Sequence, residues 1–146
     1  MQITQWLLHA SLASALVFTN AERSQAAVVI KNDRGGDVLE YYAKYQALRS
    51  RGERVVVDGD CLSACTLVLS LPNDQRCFTR RARLGFHAAW DEAGAGTVQN
   101  PVGTAIFMFA YPPEILRWIG RHGGLTAKVL YLEGKELAAM YLPCRR

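Results

Sequence analysis

The segment AVVIKNDRGGDVLEYYAKYQALRSRGERVVVDGDCLSAC, residues 27–65, decides the fold class. Ala27-Val28-Val29-Ile30 is a short apolar run rich in β-branched residues, the pattern of a buried strand. Asn32-Asp33-Arg34-Gly35-Gly36 follows with turn formers and paired glycines. Beyond it Val38, Tyr41, Tyr42, Tyr45 and Leu48 recur at helical spacing, so the tyrosines read as the packing stripe of an amphipathic helix. Gly52 suits the position past the end of that helix, and Arg54-Val55-Val56-Val57 resumes as a second strand. Strands joined through a helix of this length run parallel with a right-handed connection, so both leave the sheet at one edge, where sites gather.

Downstream, Asp58-Gly59-Asp60 reads as the loop leaving the second strand, and a short helix begins near Ser63 and stops at Pro72-Asn73-Asp74. Arg76-Cys77-Phe78-Thr79 and Leu84-Gly85-Phe86-His87 are strand candidates on either side of a basic turn. Asp91 to Gly103 is small and polar and reads as a mobile loop. Thr104 to Phe109 is apolar, Pro112-Pro113-Glu114 opens a helix through Ile119, and Gly123-Gly124 terminates it. The tail holds a strand at Val129 to Leu132, a short helix from Lys135 to Tyr141, and Cys144. No internal repeat is present.

The chain has 146 residues, half of them hydrophobic and 21% charged, with a formal net charge of +4. That balance excludes a disordered or fibrous chain and fits one compact domain. Trp6 to Phe18 is apolar but shorter than the roughly 20 residues that span a bilayer as a helix, and suits a signal-peptide core. Small residues at Ser24 and Ala26 place the cleavage after residue 26, leaving a single domain over 27–146. The expected location is periplasmic or secreted, with no stable membrane association after cleavage. No Lys or Arg precedes Arg23, so a membrane anchor is the alternative if the segment is not cleaved.

Ser63 stands where a helix begins, and free backbone N–H groups there can steady an anion. A nucleophilic serine needs a base, and the chain after the leader offers His87 and His122. His122 sits beside Gly123 and reads as a helix-end cap. His87 closes a strand expected in the same sheet as the strand feeding Ser63, so the two side chains can meet at one edge. Arg76, Arg80, Arg81 and Arg83 alternate with Cys77, Phe78 and Ala82 as a solvated basic edge, without a nucleic-acid motif.

Taken together, Asp33-Arg34-Gly35-Gly36-Asp37-Val38, the strand Val55 to Val57, Leu62-Ser63-Ala64 and Arg83-Leu84-Gly85-Phe86-His87 resemble the proteolytic subunit of the Clp protease and the wider ClpP/crotonase superfamily. The segments match in order and spacing over Ala27 to His87, and more loosely over Leu132 to Leu142. Cys61 to Cys65, a Cys-x-Ser-Ala-Cys segment, also resembles small exported bacterial ClpP-like proteins. The resemblance implies an α/β fold with a ClpP/crotonase-like core of repeated β-β-α and βαβ units and a mainly parallel sheet. It implies Ser63 as nucleophile, His87 as general base, and the backbone N–H groups of Gly36 and Ala64 as the oxyanion hole. No cofactor or metal is implied. The partner is a peptide or protein substrate, homo-oligomerisation is open, and nucleic acid is not expected.

Two positions depart from that family. Alignment of the tail puts Leu130 where the triad aspartate belongs, leaving Asp58, Asp60, Asp91 and Glu133 as substitutes that read more simply as surface carboxylates. The segment from Gly94 to Gly123 is shorter than the handle helix through which ClpP rings stack. The four cysteines admit three connectivities, of which Cys61 with Cys65 and Cys77 with Cys144 is preferred over a zinc site. Two functions remain open: an ATP-independent serine hydrolase, or a non-catalytic relative in which Ser63 caps its helix and the sheet edge binds a peptide or protein. Acyl-CoA chemistry ranks last.

Overall fold

A computed structural model describes residues 26–93 and 96–144. The expected leader, 1–26, lies outside the described residues except for Ala26. The chain forms a mixed α/β fold around a mostly parallel five-stranded sheet. The first strand, β1 (Val28–Asp33), leads into α1 (Val38–Ser50), and β2 (Val55–Leu62) pairs parallel to β1. Tyr45 and Leu48 of α1 are buried, while Tyr41 and Tyr42 are half-buried against the same core, as the helical spacing predicts.

The second strand is longer than the sequence suggests. Asp58-Gly59-Asp60, read as a loop, continues β2 through to Leu62, because the β1–β2 register shifts between Ile30 and Asn32 and the two strands re-pair at Asn32 with Asp60 and Asp33 with Cys61. Gly59 permits this: a Cβ there would lie 1.8 Å from the Lys31 carbonyl oxygen, closer than any side chain can approach.

The full length of β2 is used in two halves. Val55, Val56 and Val57 pair with β3 (Arg76–Phe78), and Asp60, Cys61 and Leu62 pair with β4 (Arg83–Phe86). Both pairings are parallel, so β3 and β4 lie one after the other along a single flank of β2. The strand β7 (Leu130–Glu133) adds antiparallel to β4. Between β2 and β3 the chain runs as an eight-residue 3₁₀ helix, Ser63–Ser70, in which Ala64 to Leu69 are all buried. It lies in the core, packed against α1, β2 and β4.

Arg76 corrects the reading of a wholly solvated basic edge. It is buried, and its guanidinium donates to the carbonyls of Leu69 and Leu71 and to Asn73 Oδ1, closing the end of the 3₁₀ helix where carbonyl groups lack partners. Its ring partner is Tyr141, 4.9 Å away.

Asp91 to Gly103, read as a mobile loop, forms strands and a helix start over its described residues. It holds a hairpin of β5 (Trp90–Ala93) and β6 (Gly96–Gln99), and then the start of α2 (Pro101–Ala110), with Pro101 at the first helical position and Asn100 accepting from the Gly103 N–H at 2.7 Å. The cap signal Asn-Pro was present but hidden in a polar stretch. Helix α3 (Pro113–Arg121) follows, and His122 caps its end with Nδ1 2.8 Å from the Trp118 carbonyl. The last helix, α4 (Gly134–Met140), packs Leu137 inward. Leu39, Val102 and Phe109, the last 82% exposed, form an apolar face between α1 and α2.

Two disulfides connect Cys61 with Cys65 and Cys77 with Cys144, the preferred pairing. The second ties the tail to β3, beside a backbone bond from the Cys144 N–H to the Phe78 carbonyl. Among the described residues no helix is long and apolar enough to cross a membrane. Paired cysteines fit a non-cytoplasmic compartment, since the cytosol keeps thiols reduced.

Two stability measurements follow from this architecture. Gly59→Ala lowers the unfolding free energy by about 3 kcal/mol or more, because backbone and not a side chain occupies the space its methyl needs; an unchanged urea midpoint would contradict the close approach. Replacing Cys77 and Cys144 by serine costs about 4 kcal/mol from the entropy of the long loop released, read in the same titration under non-reducing conditions.

Candidate functional site

Three parallel strands deliver the candidate residues to one sheet edge. Asp33 ends β1 and is followed by Gly35-Gly36, Leu62 ends β2 and is followed by Ser63, and Phe86 ends β4 and is followed by His87. The pairings Asp33 with Cys61 and Leu62 with Gly85 keep these three ends level. Gly35, Gly36, Ser63 and His87 line one cleft of about 440 Å³. Ala64 is fully buried behind Ser63 and is not part of the cleft wall.

Ser63 is the one non-glycine among the described residues with a positive φ, +54°. Such a conformation is sterically costly for a residue with a Cβ, on the order of 1–3 kcal/mol, and persists only where the surroundings enforce it. The surroundings here are specific. Gly35, itself at φ +83°, presses its backbone against the elbow: a Cβ on it would fall 2.7 Å from the Ala64 nitrogen, the Leu62 oxygen and the Ser63 Cβ. The Cys61–Cys65 bridge closes over the same turn, joining the strand before Ser63 to the helix after it. Behind it, Thr66 Oγ1 donates to the Ser63 carbonyl at 2.6 Å and lies 2.5 Å from the Tyr111 hydroxyl at the end of α2.

Ser63 is not an N-cap. That position belongs to Leu62, and no side chain caps the 3₁₀ helix. The capping role expected under the non-catalytic alternative is therefore absent, and the Ser63 hydroxyl makes no hydrogen bond among the described residues, including none to His87. The N–H groups of Gly36 and Ala64 likewise take part in no hydrogen bond among the described residues. Gly35 is occupied differently, donating its N–H to Asp33 Oδ1 at 2.9 Å.

Asp33 and Tyr41 were not legible as site residues. Asp33 Oδ1 also accepts from the Tyr41 hydroxyl at 2.7 Å, so one carboxylate oxygen holds both the glycine turn and the first turn of α1. Burial, together with that carboxylate, pushes the Tyr41 phenol up to about 12. Helical spacing placed Tyr41 on the packing face correctly and gave no sign of the hydroxyl's partner.

His87 is 6% exposed. Its Nδ1 lies 2.7 Å from the Ala88 carbonyl oxygen, and its ring stacks on Trp90 with centroids 4.1 Å apart. With Nδ1–H donated to that carbonyl, Nε2 carries the free lone pair. Among the described residues no carboxylate hydrogen-bonds the ring or pairs with it. Leu130 pairs with Phe86 in the β4–β7 ladder, so the tail strand does pass beside His87 but with an apolar residue. Asp58 and Asp60 are engaged elsewhere, in ion pairs with Arg81 and Arg83, and Arg83 also lies 3.9 Å from Glu133. Asp91 lines the cleft but meets Asn100 Nδ2 at 2.9 and 3.0 Å.

No family model and no curated protein matches this chain. The geometry therefore stands by itself: a left-handed serine at a strand end, with a histidine and the paired glycines on the same cleft.

The ion pairs just described generate a pH dependence. Hydrogen bonds from Arg81 and Thr79 hold the Asp58 carboxyl below the usual range, and hydrogen bonds from Arg83 do the same for Asp60. Their contribution to stability is present above the ordinary carboxylate value of about 4 and is lost as pH falls through the lowered folded values. Asp58→Asn with Asp60→Asn therefore flattens the acid limb of the stability–pH curve; an unaltered limb would contradict the pairing.

Proposed function

We propose that the chain is a serine hydrolase of ClpP/crotonase type, ATP-independent and periplasmic or secreted, acting on a peptide or protein. The observation that carries this is the left-handed Ser63, since a buttressed strain at a strand-to-helix turn exposes a nucleophile and has no evident structural use. In this reading His87 Nε2 removes the proton from Ser63 Oγ as the oxygen attacks the substrate carbonyl. The carbonyl oxygen becomes an oxyanion, held by the N–H groups of Gly36 and Ala64. The imidazolium then protonates the departing amine, leaving an acyl group on Ser63. Water, deprotonated by His87, attacks the acyl carbon and releases the acid, and the proton returns to Ser63.

The Ala88 carbonyl takes the place of the triad acid in one respect and not in another. It fixes the tautomer with Nε2 free, which avoids the loss caused by a wrongly protonated ring. It offers only a dipole to the imidazolium, supplemented by the face of Trp90, so turnover is slower than with a carboxylate. The missing hydrogen bond between Ser63 Oγ and His87 favours the second reading, a peptide-binding scaffold without chemistry. Such bonds are often long before substrate arrives.

Treatment with a small fluorophosphonate followed by mass spectrometry separates the two readings. The expected result is one adduct on Ser63, absent in Ser63→Ala and slowed by about 10²-fold or more in His87→Ala. Replacing Cys61 and Cys65 by alanine also slows labelling, because the elbow loses its clasp. A folded, disulfide-intact protein that takes no label overturns the hydrolase reading.

A further inference from the structure

The cleft over Ser63 carries a charge pattern that the hydrolytic steps do not use. Asp37, Asp91 and Glu92 line it against a single guanidinium, that of Arg34. None of the three carboxylates forms an ion pair among the described residues. Three carboxylates against one guanidinium leave the cleft lining with an excess of negative charge. Asp37 accepts from the Glu40 N–H at 2.9 Å and Asp91 from the Asn100 side-chain amide, so neutral donors fix both without cancelling their charge.

Two further features call for an occupant. Trp90 precedes Asp91 and Glu92 on β5 and is 45% exposed, with one face stacked on His87 and the remainder open to the cleft. His87 itself is nine-tenths buried, with Nδ1 satisfied by Ala88 and Nε2 without a hydrogen-bond partner among the described residues. An aromatic face beside uncancelled carboxylates is the environment that attracts a cation. That nitrogen is not a sealed, unpartnered atom and remains able to accept a hydrogen bond from a group entering the same cleft.

Resting on the hydrolase reading, we infer that the substrate is a peptide presenting a lysine or arginine side chain next to the scissile bond, its cation lying between Asp91, Glu92 and the face of Trp90. A neutral side chain in that position leaves the carboxylates uncompensated, and an acidic one is repelled. Exposed pairs of this kind are individually weak and screened by salt, so the preference is about tenfold at low ionic strength.

The test compares peptidyl phosphonates bearing lysine, leucine or glutamate at the reacting residue with a fluorophosphonate that has no side chain, all read as adduct formation on Ser63. The lysine probe is expected to react about tenfold faster than the leucine probe, and the glutamate probe slowest. The lysine-to-leucine ratio falls toward one in Asp91→Asn with Glu92→Gln, and also at about 0.5 M salt. Labelling by the side-chain-free probe with no advantage for lysine overturns the inference and leaves the hydrolase reading intact. If no probe labels Ser63, the hydrolase reading fails, and binding of lysine and glutamate tripeptides decides the charge selection alone. A saturable fluorescence change for the lysine peptide only, absent in Trp90→Phe, supports it, and equal or absent responses overturn it.

Discussion

The approach of Gly35 to the turn at Ser63 is the constraint on which the upper edge of the sheet depends. Only a residue without a Cβ can lie there, because the nearest atoms are backbone of the neighbouring strand end and the serine's own Cβ. That contact holds the glycine turn after β1 against the elbow after β2, so that Gly35, Gly36 and Ser63 line one cleft. The cost of a left-handed serine is met by restraints on every side: the Cys61–Cys65 bridge, the Thr66 hydroxyl on its carbonyl, and a 3₁₀ helix whose following six residues are buried. A short-range disulfide gains little from loop entropy. Its position around Ser63 gives it a geometric role instead.

Much of this was legible because the signals were local. The strand, helix and strand of residues 27–57 announced themselves through β-branched runs and a clear helical stripe, and a parallel pair joined by a helix fixes which ends share an edge. Ser63, His87 and the paired glycines could therefore be assigned to one edge from spacing. What was not legible depends on pairing partners distant in sequence. The extension of β2 through Asp58-Gly59-Asp60 looks like a loop by composition and becomes a strand because β1 and β4 offer ladders on both sides. The hairpin at Trp90 to Gln99 looked mobile for the same reason, its residues being small and polar. Arg76 sat in a basic run, and nothing local showed that its guanidinium would turn inward to free carbonyls.

The site differs from a full triad in a way that physical reasoning can weigh. Orientation and charge are separate contributions of the usual acid. The Ala88 carbonyl holds the His87 ring at Nδ1, and among the described residues no carboxylate hydrogen-bonds that ring. The carboxylates that sequence offered as substitutes are held elsewhere: Asp58 and Asp60 by arginines, Asp91 by an asparagine amide at the cleft rim. Of the basic cluster, Arg81 and Arg83 pair with Asp58 and Asp60, while Arg76 turns inward to backbone carbonyls.

In the proposed hydrolase the elbow and the glycine turn together form the oxyanion pocket. The most direct measurement is a crystal structure of the protein after reaction with a fluorophosphonate. The expected result places phosphorus on Ser63 Oγ and its phosphoryl oxygen about 3 Å from the backbone nitrogens of both Gly36 and Ala64. An adduct on another residue, or a phosphoryl oxygen turned away from those two nitrogens, would contradict it.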